Sequence, residues 1–371
     1  MPPILTMRST GSYGPFDLPR TCKDRPMTTV GVVSPGFMGA GLGWALRLGG
    51  ARVVATAAGR SDRTRRLAGD AGLELLPTLD DVVAAADVIL SVAPPAEALA
   101  VARAVADAAR RTGARPIFAD LNAISPTTMS AIAAELSGEP AHAEETARAE
   151  DAPHAEDAPH AEEDTHTEED THTEDAAGSG DGASRTREAQ GGLALVDGAI
   201  SGPPPTARPG ARLYLSGMHA GVIADLPWAD KIETIVVGTR IGSASAVKMC
   251  TASVYKGLTA IVTQAMRVAG RHGVLDQVLA DLAHNGLDRS AGVASAAVKA
   301  HRFVGEMREI AATQADAGLT PALFEAFAEV YADVARTALA HGDPETIRDI
   351  SPAETVARLA QVRQADKRSE S

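Results

Sequence analysis

Aromatic side chains make up only 3% of the 371 residues. A core built with so few of them has to close through Ala, Val and Leu, so helices must pack closely through small side chains. Cysteine is nearly absent, with Cys22 and Cys250 the only two. Two thiols make no disulfide framework, and this usage suits a reducing compartment. Long apolar runs are missing too. Each is broken by Asp, Arg, Lys or Pro before the roughly 20 residues a membrane-spanning helix needs. The first 26 residues lack the continuous apolar stretch of a signal peptide. These absences predict a cytoplasmic chain without a membrane partner. They also predict that residues 1–27 form a disordered leader, with Met27 a candidate start.

A basic surface is lacking as well. The net charge is −13, and the stretch from Glu139 to Asp175 holds 15 acidic residues against one basic residue, Arg148. The rest of the chain is therefore near neutral, and nothing recommends a nucleic-acid partner. Residues 139–191 are low in complexity: AEDAPH occurs twice from Ala149 and EEDTHT twice from Glu162. Such a segment cannot bury enough apolar surface to offset chain entropy, which predicts a disordered insert. His154, His160, His166 and His172 recur within it. Unanchored histidines make a poor metal site, and they read as part of a solvated loop.

With the insert set aside, a regular pattern emerges. β-Branched runs at 29–33, 52–57, 87–92 and 115–120 alternate with Ala-rich helical stretches at 38–49, 62–71, 95–112 and 126–137. Repeated βαβ units predict a parallel sheet covered on both faces. LALVDGAIS, ARLYLSG and IETIVVG follow the insert and read as strands completing that sheet, so 28–241 forms one α/β domain. From Gly242 the strands stop. One long helix runs to Gly273, and further helices are expected near 275–285, 289–316, 321–341 and 352–364. The expected fold is thus α/β, a Rossmann-type parallel sheet domain followed by an all-α C-terminal domain over 242–365, with 366–371 a tail. The long helix is apolar almost all round, more than one such domain can cover, which predicts a two-fold homodimer. His272, His284 and His301 are scattered in this domain and read as surface or capping residues, with no metal implied. Cys250 reads as core. The charged stretch RFVGEMREIA from Arg302 reads either as cleft lining or as a helix–helix salt-bridge seam.

The first strand runs into a helix through Ser34, Pro35, Gly36, Phe37, Met38 and Gly39. In a dinucleotide fingerprint the second glycine lets the pyrophosphate approach and the third lets helix and strand pack, roles that fall to Gly36 and Gly39. Ser34 stands where the first glycine belongs. The second strand ends without the acid that would read a ribose 2′-hydroxyl. Arg60 and Ser61 stand there, with Arg63 nearby. A guanidinium and a hydroxyl suit a 2′-phosphate, which favours NADP(H) over NAD(H). Lys248 lies early in the apolar long helix. Desolvation there lowers its pKa toward the range useful for proton transfer. Thr251 and Tyr255 follow three and seven positions on and share its helical face, with Lys256 near that face.

These motifs resemble the β-hydroxyacid dehydrogenase superfamily, related to 6-phosphogluconate dehydrogenase, in the branch whose C-terminal domain has no assigned function. The likeness covers roughly 28–137 and 192–341. SPGFMG matches a Gly-x-Gly-x-Met-Gly turn, DLNAISP from Asp120 a segment beside the nicotinamide, DGAISGPP from Asp197 a substrate-binding segment, and GSASAVK the segment that ends in the catalytic lysine. The resemblance implies a small-molecule oxidoreductase with Lys248 as general acid/base. It implies Asn122, Ser201 and Gly202 at the substrate, beside Thr251 and Tyr255. It further implies cofactor contacts from Val92, Ala93, Pro94 and Asn122. Two departures stand out. Pro203 offers no N–H to a carboxylate, and Ala252 occupies the position of a substrate-binding Asn. They keep two alternatives in play: an imine reductase-type NADPH enzyme, and a catalytically silent NADP-binding protein with an acidic interaction arm.

Overall fold

The computed structural model describes residues 27–137, 192–342 and 347–361. The expected leader, the acidic insert with its histidines, and the tail lie outside the described residues. The first part is one eight-stranded sheet: β1 (Thr29–Val33), β2 (Arg52–Thr56), β3 (Glu74–Leu76), β4 (Val88–Ser91), β5 (Ile117–Asp120), β6 (Leu195–Ser201), β7 (Ala211–Ser216) and β8 (Ile232–Gly238). Their spatial order is β3-β2-β1-β4-β5-β6-β7-β8. Among the described residues six helices belong to this part: α1 (Phe37–Leu48), α2 (Asp62–Asp70), α3 (Leu79–Ala85), α4 (Ala98–Thr112), α5 (Pro126–Ser137) and α6 (Ala220–Ala224). One face of the sheet packs Leu42, Leu46, Leu213 and Trp228, and the other packs Val82, Val105, Phe118 and Ile132. This is the two-faced burial that alternating βα units require.

The sheet is not parallel throughout. β7 runs antiparallel to β6, while β8 runs parallel to β7. The physical reason is the connection. Parallel neighbours need a crossover of about a dozen residues or more, and only residues 202–210 separate β6 from β7. β3 and α3 are additional to the expected elements. β3 is three residues long and lies at the sheet edge, too short for alternation to register. α3 did carry a signal, the capping box between Thr78 and Asp81.

The second part is all helical: α7 (Ser243–His272), α8 (Leu275–His284), α9 (Ser290–Ala297), α10 (Ala300–Asp316), α11 (Ala322–Ala335) and α12 (Pro352–Leu359). The helix expected over 289–316 is two helices, parted at Val298 and Lys299 without a Gly or Pro to mark the break. The one expected over 321–341 ends at Ala335 and gives way to a 3-10 turn. Gly273 closes α7 at φ 70°, the left-handed C-cap that glycine favours. Met249, Met266, Met307, Phe327 and Tyr331 lie in a separate core. Among the described residues no helix is long and apolar enough to cross a membrane.

Two carboxylates of α10 tie it to its neighbours, Glu309 to α5 of the first part and Glu306 to α7 of its own part. Glu309 of α10 accepts from the Ser125 N–H and the Thr128 hydroxyl, both at 2.8 Å, and so caps α5 from the other domain. Glu306, one turn earlier, pairs with Lys256 of α7. Of the two readings of the Arg302 stretch, the salt-bridge seam describes these contacts.

The chain leaves α5 and re-enters β6 at nearly one point. The Leu193 N–H donates to the Leu136 carbonyl at 3.1 Å, and a Cβ on Gly192 would meet that oxygen at 2.8 Å. Replacing residues 141–188 by a short Gly/Ser linker should therefore leave the melting temperature within about 2 °C, since closing ends that already touch costs little entropy. A scanning-calorimetry transition lowered by 10 °C would contradict this.

Candidate functional site

The crevice lies where strand order reverses. β1 sits between β2 and β4, and the turns after these three strands come together at their C-terminal ends, the place where open α/β sheets bind ligands. Ser34 takes φ 63°. It therefore holds the left-handed conformation the missing glycine would supply, at about 1 kcal/mol of backbone cost. The turn is intact despite the substitution. A Cβ on Gly39 would meet the Ser34 carbonyl oxygen at 2.7 Å, so this glycine is what lets α1 sit on its strand. Gly36 has open space where its Cβ would be, and it begins α1 with no side-chain cap. An uncapped helix start facing open space fits a pyrophosphate. Phe37 is exposed and Met38 packs partly against the core.

On the β2 side, Arg60 Nη2 donates to Ser34 Oγ at 2.8 Å, and Nη1 lies 3.8 Å from Glu97. Ser61 is the N-cap of α2 and accepts from the Thr64 N–H at 3.3 Å. Its oxygen thus serves the helix, and its hydroxyl proton goes to Thr64 Oγ1 or to a ligand. Arg63 is exposed in the first turn of α2.

Beyond β4 the chain runs through Val92, Ala93 and Pro94, and Asn122 holds it there. Asn122 Oδ1 accepts from the Ala93 N–H at 2.5 Å, while Nδ2 donates to Asp120 at 2.7 Å and to Ser91 Oγ at 3.0 Å. The residue is buried, and both amide hydrogens are spent inside the protein. It positions the wall of the crevice; a donor role toward substrate, as expected from the motif, has no hydrogen left to serve it. Asp120 is fully buried, and burial, with Asp197 beside it across the β5–β6 ladder, pushes its carboxyl up to about 7.

Asp197 organises the start of α7. Its carboxylate is buried and accepts from Ser216 Oγ, from the N–H groups of Gly242, Ala244 and Ser245, and from Ser245 Oγ, at 2.7–3.1 Å. It supplies the cap that α7 lacks in its own sequence, since Gly242 at φ 94° has no side chain to offer. Three residues further along β6, the Ile200 carbonyl accepts from Lys248 Nζ at 2.8 Å. One strand therefore grips the helix at both its first and second turns. Burial lowers the Lys248 pKa. Ser201 follows Ile200 directly and is half-buried. Gly202 adopts φ 107°, and a Cβ there would meet the Gly210 oxygen at 2.6 Å.

Three placements differ from expectation. Tyr255 is 70% exposed, so sharing a helical face with Lys248 does not bring it to the same environment. Lys256 is half-buried: it pairs with Glu306 and lies 4.4 Å from the Phe303 ring centre. Cys250 is exposed, on the outer side of α7. Thr251 is half-buried, but its hydroxyl donates back to Val247 and Lys248 carbonyls, leaving only an acceptor for a ligand. His272, His284 and His301 are exposed, as expected. Asp197 and Glu309 were missed as organising residues. The first opens a motif that the sequence reading quoted, whereas nothing local marks the second.

A family model described as a domain of unknown function (DUF1932) matches residues 269–334. No curated protein matches the chain by sequence. Solved structures do match. A conserved protein of unknown function, reported to be structurally similar to 3-hydroxyacid dehydrogenases, is 23% identical with a TM-score of 0.51, over 82% of this chain and 97% of that one. The 3-hydroxyisobutyrate dehydrogenase of Mycobacterium tuberculosis is 18% identical with a TM-score of 0.51, over 90% and 99%. The corresponding enzyme of Salmonella typhimurium is 14% identical with a TM-score of 0.55, over 87% and 100%. The chain thus has the fold of the NAD(P)-dependent 3-hydroxyacid dehydrogenases, with a DUF1932 match in its helical part.

Proposed function

We propose that this protein is an NADP-dependent oxidoreductase acting on a small hydroxy acid, a semialdehyde or a related carbonyl compound, with Lys248 as general acid/base. The observation that carries the reading is the placement of Lys248: a half-buried lysine whose amine lies 2.8 Å from Ile200 O at the end of β6. A bound nicotinamide supplies or accepts the hydride. The chain's own task is the proton. Lys248 Nζ takes the hydroxyl proton when the substrate is oxidised and returns a proton to that oxygen when it is reduced. Ile200 O fixes the amine in either state, and burial, which lowers its pKa, favours the neutral form that can take a proton. Ser201, beside Ile200, orients the substrate, with Gly202 at its backbone. Ser34 to Gly39 and the Val92–Pro94 segment hold the dinucleotide, and Arg60, Ser61 and Arg63 read its adenosine end.

The cofactor assignment is tested by calorimetry. NADPH should bind more tightly than NADH, and Arg60→Ala should remove most of that preference. A guanidinium–phosphate contact in a half-exposed site is worth about 1–3 kcal/mol, or roughly 5- to 150-fold. Equal affinities in the unmodified protein would sink the assignment.

The reading includes a two-fold dimer. Val254, Ile261 and Val268 are 64%, 53% and 58% exposed on α7. They recur every seventh residue, the spacing of a helix-packing seam. A second copy covering this stripe gives light-scattering masses of two chains at micromolar concentration, and a monomer there would refute it.

A further inference from the structure

Arg60 lies across the crevice between two partners of its own chain. Ser34 follows β1, and Glu97 ends the 3-10 turn Pro95–Glu97 after β4, while Arg60 itself follows β2. The arginine donates to Ser34 Oγ at 2.8 Å and lies 3.8 Å from the Glu97 carboxylate. The second contact is a charge pair too long for a hydrogen bond. Ser34 is fixed by its left-handed backbone. The Glu97 side chain is 50% exposed, so a ligand entering the crevice can displace its carboxylate toward solvent. The guanidinium has five N–H donors, and only one is shown engaged by a hydrogen bond.

We infer that Glu97 tunes cofactor preference, acting as an internal anion that holds Arg60 where a 2′-phosphate would bind and that such a phosphate must displace. This rests on the reading that a dinucleotide occupies the Ser34–Gly39 turn. A phosphate monoester carries about −1.5 to −2 charges near neutral pH and offers three acceptor oxygens. It therefore outcompetes a single carboxylate at 3.8 Å, but only after breaking the Arg60–Glu97 attraction. A nucleotide without the 2′-phosphate leaves that pair intact. Removing the Glu97 charge should therefore help one class of ligand and not the other.

The test is calorimetry on the full chain with 2′,5′-ADP, NADPH and NADH, using the unmodified protein, Glu97→Gln, Arg60→Ala and the double variant. Exposed pairs contribute up to about 1 kcal/mol, so Glu97→Gln should tighten 2′,5′-ADP and NADPH by about 3-fold at low salt. NADH affinity should not change. The gain should vanish in the Arg60→Ala background and shrink in 1 M salt, where charges are screened within about 3 Å. Three results would overturn the inference. If Arg60→Ala weakens 2′,5′-ADP but Glu97→Gln changes nothing, Arg60 reads the phosphate without Glu97 opposing it. If Glu97→Gln weakens NADH, Glu97 is a ribose ligand. If neither 2′,5′-ADP nor NADPH binds the unmodified protein, the dinucleotide reading fails along with it. Circular dichroism of each variant checks folding.

Discussion

Lys248→Ala should lower turnover by about 10²-fold or more while NADPH affinity stays within about 2-fold, because the amine serves the substrate oxygen and not the nucleotide. Lys248→Arg should not rescue it. A guanidinium keeps its charge but cannot give up its proton near neutral pH. Turnover in the oxidative direction should rise with pH through a group titrating below the ordinary lysine value, since burial disfavours the charged amine. That limb should disappear in Lys248→Ala. Steady-state rates and nucleotide binding, measured on the same preparations, check the split. Lys256→Ala is not a neutral comparison. Its amine pairs with Glu306, so removing it leaves a half-buried carboxylate unpaired and destabilises the helical domain. Cys250→Ala, exposed on the same helix and outside the Val254–Val268 stripe, is the better control and should retain near-full turnover.

Asp197→Asn should destabilise the fold by about 2–3 kcal/mol, because a charged acceptor of several buried hydrogen bonds becomes neutral. The replacement is nearly isosteric, so packing is not at issue. What changes is the charge of the acceptor. The carboxylate takes three backbone N–H groups at the start of α7 and two hydroxyls. All three N–H groups converge on Oδ2, so an amide oxygen can still accept them with its NH2 toward Ser245 Oγ; what is lost is the negative charge at a helix N-terminus and the charge-assisted strength of those bonds. Ser216→Ala deletes one donor only and should cost about 1 kcal/mol. Urea unfolding of the three proteins gives the comparison. An Asp197→Asn loss no larger than that of Ser216→Ala would show that the cap is not what binds α7 to the sheet. Because the same strand holds Lys248 through Ile200, folded Asp197→Asn should also lose turnover.

Much of this architecture was legible in the sequence, for reasons that differ from residue to residue. The strand before Ser34 and the helix after Gly36 follow from buried runs and small residues, whose periods are local. Gly39 was readable because its steric demand is fixed by the turn it closes, and the contact with the Ser34 carbonyl bears that out. That Lys248 is partly desolvated was readable because a charge in an apolar helix stands out. Partners that are distant in the chain were not readable. Glu309 caps a helix more than 180 residues earlier, and nothing in its neighbourhood marks that role. Asn122 was placed at the substrate by its motif, yet the three groups that exhaust its amide come from the β4 and β5 ends, which only the folded sheet brings together. The reversal at β7 was implicit in a short connection rather than in the strand itself. Tyr255 shows the limit of helical periodicity, which predicts direction around an axis but not what lies opposite.

The most direct test of the central claim is hydride transfer, followed by nicotinamide absorbance with the purified full chain. NADP+ is supplied with a panel of 3-hydroxy acids, and NADPH with the matching semialdehydes and with cyclic imines. The account predicts turnover of a hydroxy acid or its carbonyl partner, faster with the phosphorylated cofactor and reduced about 10²-fold or more in Lys248→Ala. Turnover of the imines alone, or hydroxy-acid turnover indifferent to Lys248, would contradict it.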